Sequence, residues 1–231
     1  MLLLAIDTSS AVGSVAVLRD AQLLAAVSSE SEETHSSRLF RQLKILLEEQ
    51  GLTMPAFDLF AVASGPGSFT GVRVGLTAVK GWAEVYSKPA VPVSVLEAVA
   101  AQAPATVPLV AALIDARRGQ LYAGLYEREG DILRRRGEDV VMSPAECFGY
   151  LLSQARGERI VCVTPTPQRL APLLAASAFR DARIESASLV LAPSIGRIAV
   201  ERARRGEVCD AVSLDAHYVR CTDAEPLRKT P

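Results

Sequence analysis

The sequence predicts a duplicated α/β protein with mixed sheets. Three observations carry that expectation. Short apolar runs alternate with amphipathic helical patterns, the run LVAALID at 109–115 echoes LLLAID at 2–7, and both runs end in an aspartate, Asp7 and Asp115. An order of elements that starts over after a break marks two like units built on one plan. The 231 residues have room for two units of roughly 100 residues each, divided here as 1–104 and 105–231.

In the first unit, residues 2–7 read as a buried strand and 8–13 as a turn. A second strand follows over 14–18, and Arg19-Asp20 bends the chain into a third over 23–28. The next segment is helical, with Leu39, Leu43, Leu46 and Leu47 on one face and Gly51 as its stop. Residues 57–63 form a strand feeding the loop SGPGSFTGVRVG at 64–75, which runs into a helix over 69–86 capped by Ser68 or Thr70. A short strand at 90–93 and a short helix at 95–103 lead to a proline-bounded break at 104–108. The second unit repeats the order: strands at 109–115, 120–126 and 132–141, a tight turn at Glu129-Gly130, then a helix from 144 capped by Ser143. The last long helix, 193–205, is free to pack back on the first unit.

Twenty-five Lys and Arg against 26 Asp and Glu leave a formal charge of −1, so no global positive field gathers nucleic acid or anionic membrane. Arg134 to Arg136 and the arginines of 202–205 read as solvated faces, with an RNA contact as the alternative. Cysteines 147, 162, 209 and 221 share no CxxC spacing, and His35 and His217 lie far apart, which is not a zinc pattern. Scattered thiols suit a reducing cytoplasm. The opening MLLLAI lacks a basic leader and stops at Asp7, and no later run is long enough to span a bilayer. A cytoplasmic protein with no membrane contact is expected.

Like units with acidic strand ends facing a cleft are the plan of the actin, Hsp70 and sugar-kinase superfamily. Its phosphate turns need glycines, so that amides reach oxygens without a Cβ in the way. Here the first turn is Asp7-Thr8-Ser9-Ser10, with no glycine until Gly13, and the second is Asp115-Ala116-Arg117-Arg118-Gly119. Asp7, Thr8, Ser9 and Asp115 are therefore expected to line a vestigial nucleotide cleft, although Asp7 could still hold a hydrated magnesium. The glycine loop lacks the Lys and Ser/Thr of a Walker A motif. Nor does GSFTG place a serine midway between glycines, as a nucleophile elbow requires. Asp7 with Asp115 as a two-metal carboxylate pair would need further acids. No catalytic residue, metal ligand or cofactor is assigned. The competing enzyme reading is an ATP-dependent phosphotransferase or ATPase using Asp7 and Asp115 across the cleft.

On the helix expected at 69–86, Gly71, Gly75, Ala78 and Trp82 form one row, and Phe69, Val72, Leu76, Val79 and Ala83 a second. Each glycine inside a helix costs about 0.5–1 kcal/mol relative to alanine, so something must offset it. One reading is a bare backbone on which a foreign helix docks. The plainer one is close packing on the chain's own sheet or first helix. An anion at the helix N-terminus is a third.

Several segments then resemble the TsaB (YeaZ) family: AIDTSS with SVAVL, THSSRL, SGPGSFTGVRVGLTAVKG, PVSVLEAVA, IDARRGQLY and a terminal strand HYVR, in that order along nearly the whole chain. The resemblance implies two domains of the actin-like ATPase (Hsp70 and sugar-kinase, ribonuclease H-like) fold. It implies a non-catalytic subunit that binds and activates a TsaD-type catalytic subunit, joined by a TsaE-type ATPase. That assembly transfers a threonylcarbamoyl group to N6 of adenosine 37 in tRNAs reading codons that begin with A. Contact with tRNA is implied only through the complex, and a homodimer when the chain is alone. Pairing is implied to use the first two helices, here the face bearing Leu39, Leu43, Gly71, Val72, Gly75, Ala78, Val79 and Trp82. The His-x-x-x-His metal pair of TsaD is not carried over, because the matching region offers only His35. The polar tail 222–231, with two prolines, is expected to fray.

Overall fold

The computed structural model describes residues 1–130, 132–177 and 179–219. Its first sheet has the order β3-β2-β1-β4-β5, built from β1 (Leu2–Asp7), β2 (Val12–Arg19), β3 (Gln22–Glu30), β4 (Leu59–Gly65) and β5 (Ala90–Ser94). Strands β1 to β3 form an antiparallel meander, whereas β1, β4 and β5 run parallel. Parallel neighbours need crossovers, supplied by α1 (His35–Gln50) and α2 (Phe69–Tyr86). The second sheet has the same plan, with order β11-β10-β6-β7-β8 from β6 (Leu109–Asp115), β7 (Leu121–Glu129), β8 (Ile132–Arg135), β10 (Val161–Thr164) and β11 (Arg183–Ser186). Here β6 to β8 are antiparallel, β6, β10 and β11 parallel, and β9 (Val140–Met142) also pairs with β7. The repeat seen in two apolar runs thus extends to whole sheets. The fold is the mixed, two-sheet actin-like α/β fold.

Helix ends follow local chemistry. Thr34 caps α1 by accepting the Ser37 amide, and Gly51 closes it in the left-handed conformation. Ser68 caps α2 by accepting the Gly71 amide at 3.2 Å. Ser143 and Glu146 form a reciprocal capping box at the start of α4 (Pro144–Ala155).

Three apolar layers hold the molecule. Helices α1 and α2 cover the outer face of the first sheet through Leu39, Leu46, Val72 and Val79. Helix α4 and α5 (Pro167–Ala175) cover the outer face of the second through Phe148, Leu151 and Leu170. The middle layer joins both sheets: Leu3 and Ala5 share one cluster with Val110, Ala112 and Val163. It is filled by α3 (Val95–Ala100) and α6 (Ala192–Arg204). Helix α6 lies against β1, β2, β4 and β5 of the first sheet. Gly196 permits that approach, because a Cβ there would overlap the Leu18 side chain. No helix among the described residues is long and apolar enough to cross a membrane.

Some expectations need correction. The strand expected over 132–141 is two strands, β8 and β9, separated at 136–139. Gly137 takes φ +78° there, and the Tyr150 hydroxyl bonds the Glu138 amide and carbonyl, so the intervening chain leaves the ladder. Residues 217–219 are not a strand, and Arg220 with the tail 222–231 lies outside the described residues. Strands β10 and β11 and helix α5 were not foreseen.

Candidate functional site

Strands β1 and β6 end in the same local device. Asp7 Oδ1 accepts the Ser9 amide at 2.8 Å, and Asp115 Oδ1 accepts the Arg117 amide at 2.8 Å. Between the two turns opens a cleft of about 450 Å³, with Ser9, Ser10, Gly67 and Ser68 on one wall and Asp115, Arg117, Arg118 and Tyr122 on the other. Of the four residues expected to line a nucleotide cleft, Ser9 and Asp115 line this one.

The residues there do not fit a magnesium–nucleotide. Asp7 is fully buried, does not line the cleft, and its Oδ2 has no partner. Burial pushes its carboxyl up to about 6, against the pull of Ser9 and Arg38. Thr8 donates its hydroxyl to the Gly71 carbonyl at 2.7 Å, and the Ser9 carbonyl accepts the Ser68 amide at 2.7 Å. The first turn is thus spent on holding the start of α2. In the second, Asp115 Oδ2 is paired with Arg169 at 2.7 Å, so a guanidinium already engages the oxygen that the Arg117 amide leaves free. Arg117 and Arg118 follow at φ +62° and +52°, a strained turn with no glycine before Gly119. The described residues contain no group of three His, Cys, Asp or Glu placed to hold a metal.

A serine–histidine contact was missed from sequence. Ser68 Oγ lies 3.2 Å from His35 Nε2, and His35 Nδ1 lies 3.1 Å from Arg38 Nη2. A guanidinium can only donate, so Nδ1 accepts and the imidazole proton sits on Nε2. Ser68 Oγ already accepts the Gly71 amide, and the imidazole has no lone pair left with which to take a serine proton. Burial, with the Arg38 charge second, lowers the His35 pKa and keeps the ring neutral. The contact caps α2 and does not activate a nucleophile.

Arg38 is itself 1% exposed. It donates to the Ala11 carbonyl and, at 2.8 Å, to the Ser10 carbonyl. Gln42, one turn on, donates to the Gly13 carbonyl at 2.8 Å. These two polar side chains on an apolar helical face shape the β1–β2 turn. The arginines weighed for RNA contact are largely engaged at the surface: Arg134 with Glu129, Arg135 with Glu138, and Arg136 with Glu158.

The glycine row required the largest correction. A Cβ on Gly71 would overlap the Thr8 carbonyl oxygen, and one on Gly75 would stand 2.5 Å from Thr8 Oγ1 and 3.2 Å from Val62 Cγ2. Both glycines therefore admit the chain's own β1 turn, not a foreign helix. Leu39, Leu43, Val72 and Val79 are 6% exposed or less, inside the same layer. Ala78 and Trp82 are half-buried, and Trp82 packs on Phe60 at 5.9 Å between ring centres. Of the eight residues expected at a partner interface, these two keep a surface. The outward face consists instead of Ser37, Phe40, Arg41 and Lys44 on α1 and Thr70, Arg73, Thr77, Gly81 and Val85 on α2. Phe40 is 53% and Val85 73% exposed.

Against known proteins, the profile of the family described as "TsaD: tRNA N6-adenosine threonylcarbamoyltransferase" matches residues 24–168. The chain is 36% identical over 135 residues to the tRNA threonylcarbamoyladenosine biosynthesis protein TsaB of Bacillus subtilis, covering 58% of this chain and 59% of that protein. It is 32% identical over 167 residues to the protein of the same name from Escherichia coli, covering 71% of each. The match thus spans about three-fifths of the Bacillus protein's length. Among solved structures, YeaZ from Pseudomonas aeruginosa superposes with a TM-score of 0.78 at 28% identity, over 94% of this chain and 99% of that one. Component A of (R)-2-hydroxyglutaryl-CoA dehydratase from Acidaminococcus fermentans superposes with a TM-score of 0.54 at 10% identity, over 89% and 98%, which is a likeness of fold alone.

Proposed function

Since this chain belongs to the TsaB (YeaZ) branch of the TsaD-type family, we propose that it serves tRNA threonylcarbamoyladenosine biosynthesis as a non-catalytic subunit supporting a TsaD-type catalytic partner. In this reading the partner modifies N6 of adenosine 37, in tRNAs reading codons that begin with A. A TsaE-type ATPase joins through the complex, tRNA is met only there, and the work is done in the cytoplasm. Alone, the chain pairs with a second copy through the surface it offers the partner.

One observation carries the reading: the acidic strand ends are sealed or paired, whereas the outer surface of α1 and α2 leaves Phe40, Phe69 and Val85 exposed among polar residues. Asp7 is sealed and Asp115 is paired with Arg169. Among the described residues, twelve large apolar or aromatic side chains are exposed; Phe40 lies on α1, Phe69 and Val85 at the two ends of α2, and Tyr218 against Phe69. Exposed aromatic and aliphatic side chains set among polar ones on neighbouring helices suit a docking site more than a solvated face.

The test is sedimentation of the full chain with a TsaD-type subunit, together with a reconstituted tRNA-modification assay. Phe40→Glu and Thr77→Arg lie on the outward faces, so each is expected to keep the fold, weaken association at least roughly tenfold and lower modification in step. Unchanged association in both folded variants would refute the docking face.

A further inference from the structure

Residues 206–219 turn back along the first unit, where Cys209 exchanges both backbone hydrogen bonds with Ala90, at 2.8 and 2.9 Å. Leu214 is fully buried in the layer beneath α2. The segment then crosses the carboxyl end of β4, where the His217 amide donates to the Ser64 carbonyl at 2.8 Å. A Cβ on Gly65 would stand 2.7 Å from the His217 carbonyl oxygen, and Gly65 holds φ +113°, a conformation side-chain-bearing residues rarely adopt. The first glycine of the 64–75 loop therefore admits this segment.

From that crossing the two side chains reach opposite ways. His217 Nε2 lies 3.0 Å from Asp139 Oδ2, on the turn between β8 and β9 of the second sheet. The Asp139 side chain is fully buried; its other oxygen accepts the Tyr126 hydroxyl at 3.2 Å, and Arg135 stands 3.8 Å away. Tyr218 faces α2: Arg73 donates to its hydroxyl at 3.1 Å, its ring packs on Phe69 at 5.5 Å, and the Arg73 guanidinium lies 3.7 Å over the Phe69 ring.

A tail that merely found a place to lie would satisfy its backbone and bury Leu214. This one also partners a buried carboxylate of the other unit through His217, and through Tyr218 it meets exposed residues of the helix proposed to meet the partner. We propose that residues 206–219 form a clasp that ties the first turns of α2, and with them one flank of the partner-docking face, to the second sheet through His217–Asp139 and Tyr218–Arg73–Phe69. The proposal rests on the reading of α1 and α2 as the docking face, and it adds what holds that face in place. Tyr218, 46% exposed, and Val212, 83% exposed, then belong to the surface the partner meets.

The experiment uses the full chain with His217→Ala and, separately, Tyr218→Ala. The second removes only surface contacts and so remains informative should the first fail to fold. Two quantities are read: amide hydrogen exchange across residues 72–76, and association with a TsaD-type subunit by sedimentation. The clasp predicts that exchange at 72–76 accelerates roughly tenfold in each folded variant, with β10 and β11 unchanged, and that association weakens. Unchanged exchange at 72–76 overturns the clasp whatever the partner does. Faster exchange with unchanged association overturns its link to docking, while Phe40→Glu and Thr77→Arg judge the docking face independently.

Discussion

The glycines of α2 make opposite predictions at positions that look alike in sequence. At Gly81 nothing lies within 4 Å of a Cβ, so Gly81→Ala is expected to gain the full helix preference, about 0.5–1 kcal/mol. At Gly71 the same change drives a methyl into the Thr8 carbonyl oxygen and to 2.9 Å from His35 Cε1. Backbone cannot rotate aside as a side chain can, so α2 must lift from the β1 turn. Lifting it weakens the Thr8–Gly71 and Ser68–His35 hydrogen bonds and opens the layer around Val72. Overpacking of about 1–3 kcal/mol, plus roughly 1 kcal/mol for each hydrogen bond, outweighs the helix gain and leaves a net loss of about 2–4 kcal/mol. In a chain of this size 1 kcal/mol moves the melting temperature by about 2–4 °C. Thermal unfolding should therefore place Gly81→Ala a few degrees above the parent and Gly71→Ala well below it. If Gly71→Ala melts with the parent and instead loses the partner, the row faces outward and the internal packing argued here is wrong.

Other expectations are simpler. Asp7→Asn keeps the bond from the Ser9 amide and removes a buried charge. Because the native carboxyl binds its proton more tightly than the unfolded one, the parent loses stability as pH rises from about 4 through about 6, by about 3 kcal/mol in all. Urea titrations should therefore show the variant gaining on the parent between pH 4 and pH 7; parallel pH profiles would contradict the sealed carboxyl. Arg169→Ala, an exposed change, should leave melting within a degree or two while freeing Asp115. Calorimetry of the parent with ATP and magnesium should show no micromolar binding, and a clear isotherm would restore the phosphotransferase reading. Arg38→Leu empties the β1–β2 turn of its buried donors and should cost about 2–4 kcal/mol by chemical denaturation.

Much of the fold was legible because apolar period and turn chemistry agree with the final topology. The two strand-ending aspartates were readable as equivalents, and they make the same Asx turn. What stayed hidden was direction. A helix carrying small residues on one row and large apolar ones on the next gives spacing but not which side the sheet lies on, and in α2 most of both rows turns inward, with Phe69 left exposed and Ala78 and Trp82 half-buried. Arg38 and Gln42 were unreadable for a related reason: a polar residue on an apolar face looks like noise until the turn carbonyls it serves are placed beside it. The His35–Ser68 contact joins two helix starts 33 residues apart, and only topology brings them together. The break at 136–139 depends on Tyr150 reaching back from α4, a long-range contact that no local pattern reports. The glycines of the 64–75 loop do serve backbone approach, as their spacing implied, but what approaches is the chain's own β1 turn and its own segment 206–219.

Hydroxyl-radical footprinting of the chain, free and with an equimolar TsaD-type subunit, asks most directly whether the outer surface of α1 and α2 is where this protein works. Docking there shields Phe40, Phe69 and Val85 while Leu152 and Leu173, on the helices of the second unit, stay as reactive as in the free chain. Shielding of Leu152, Leu173 or the cleft residue Leu189, with Phe40 and Phe69 still exposed, would contradict it.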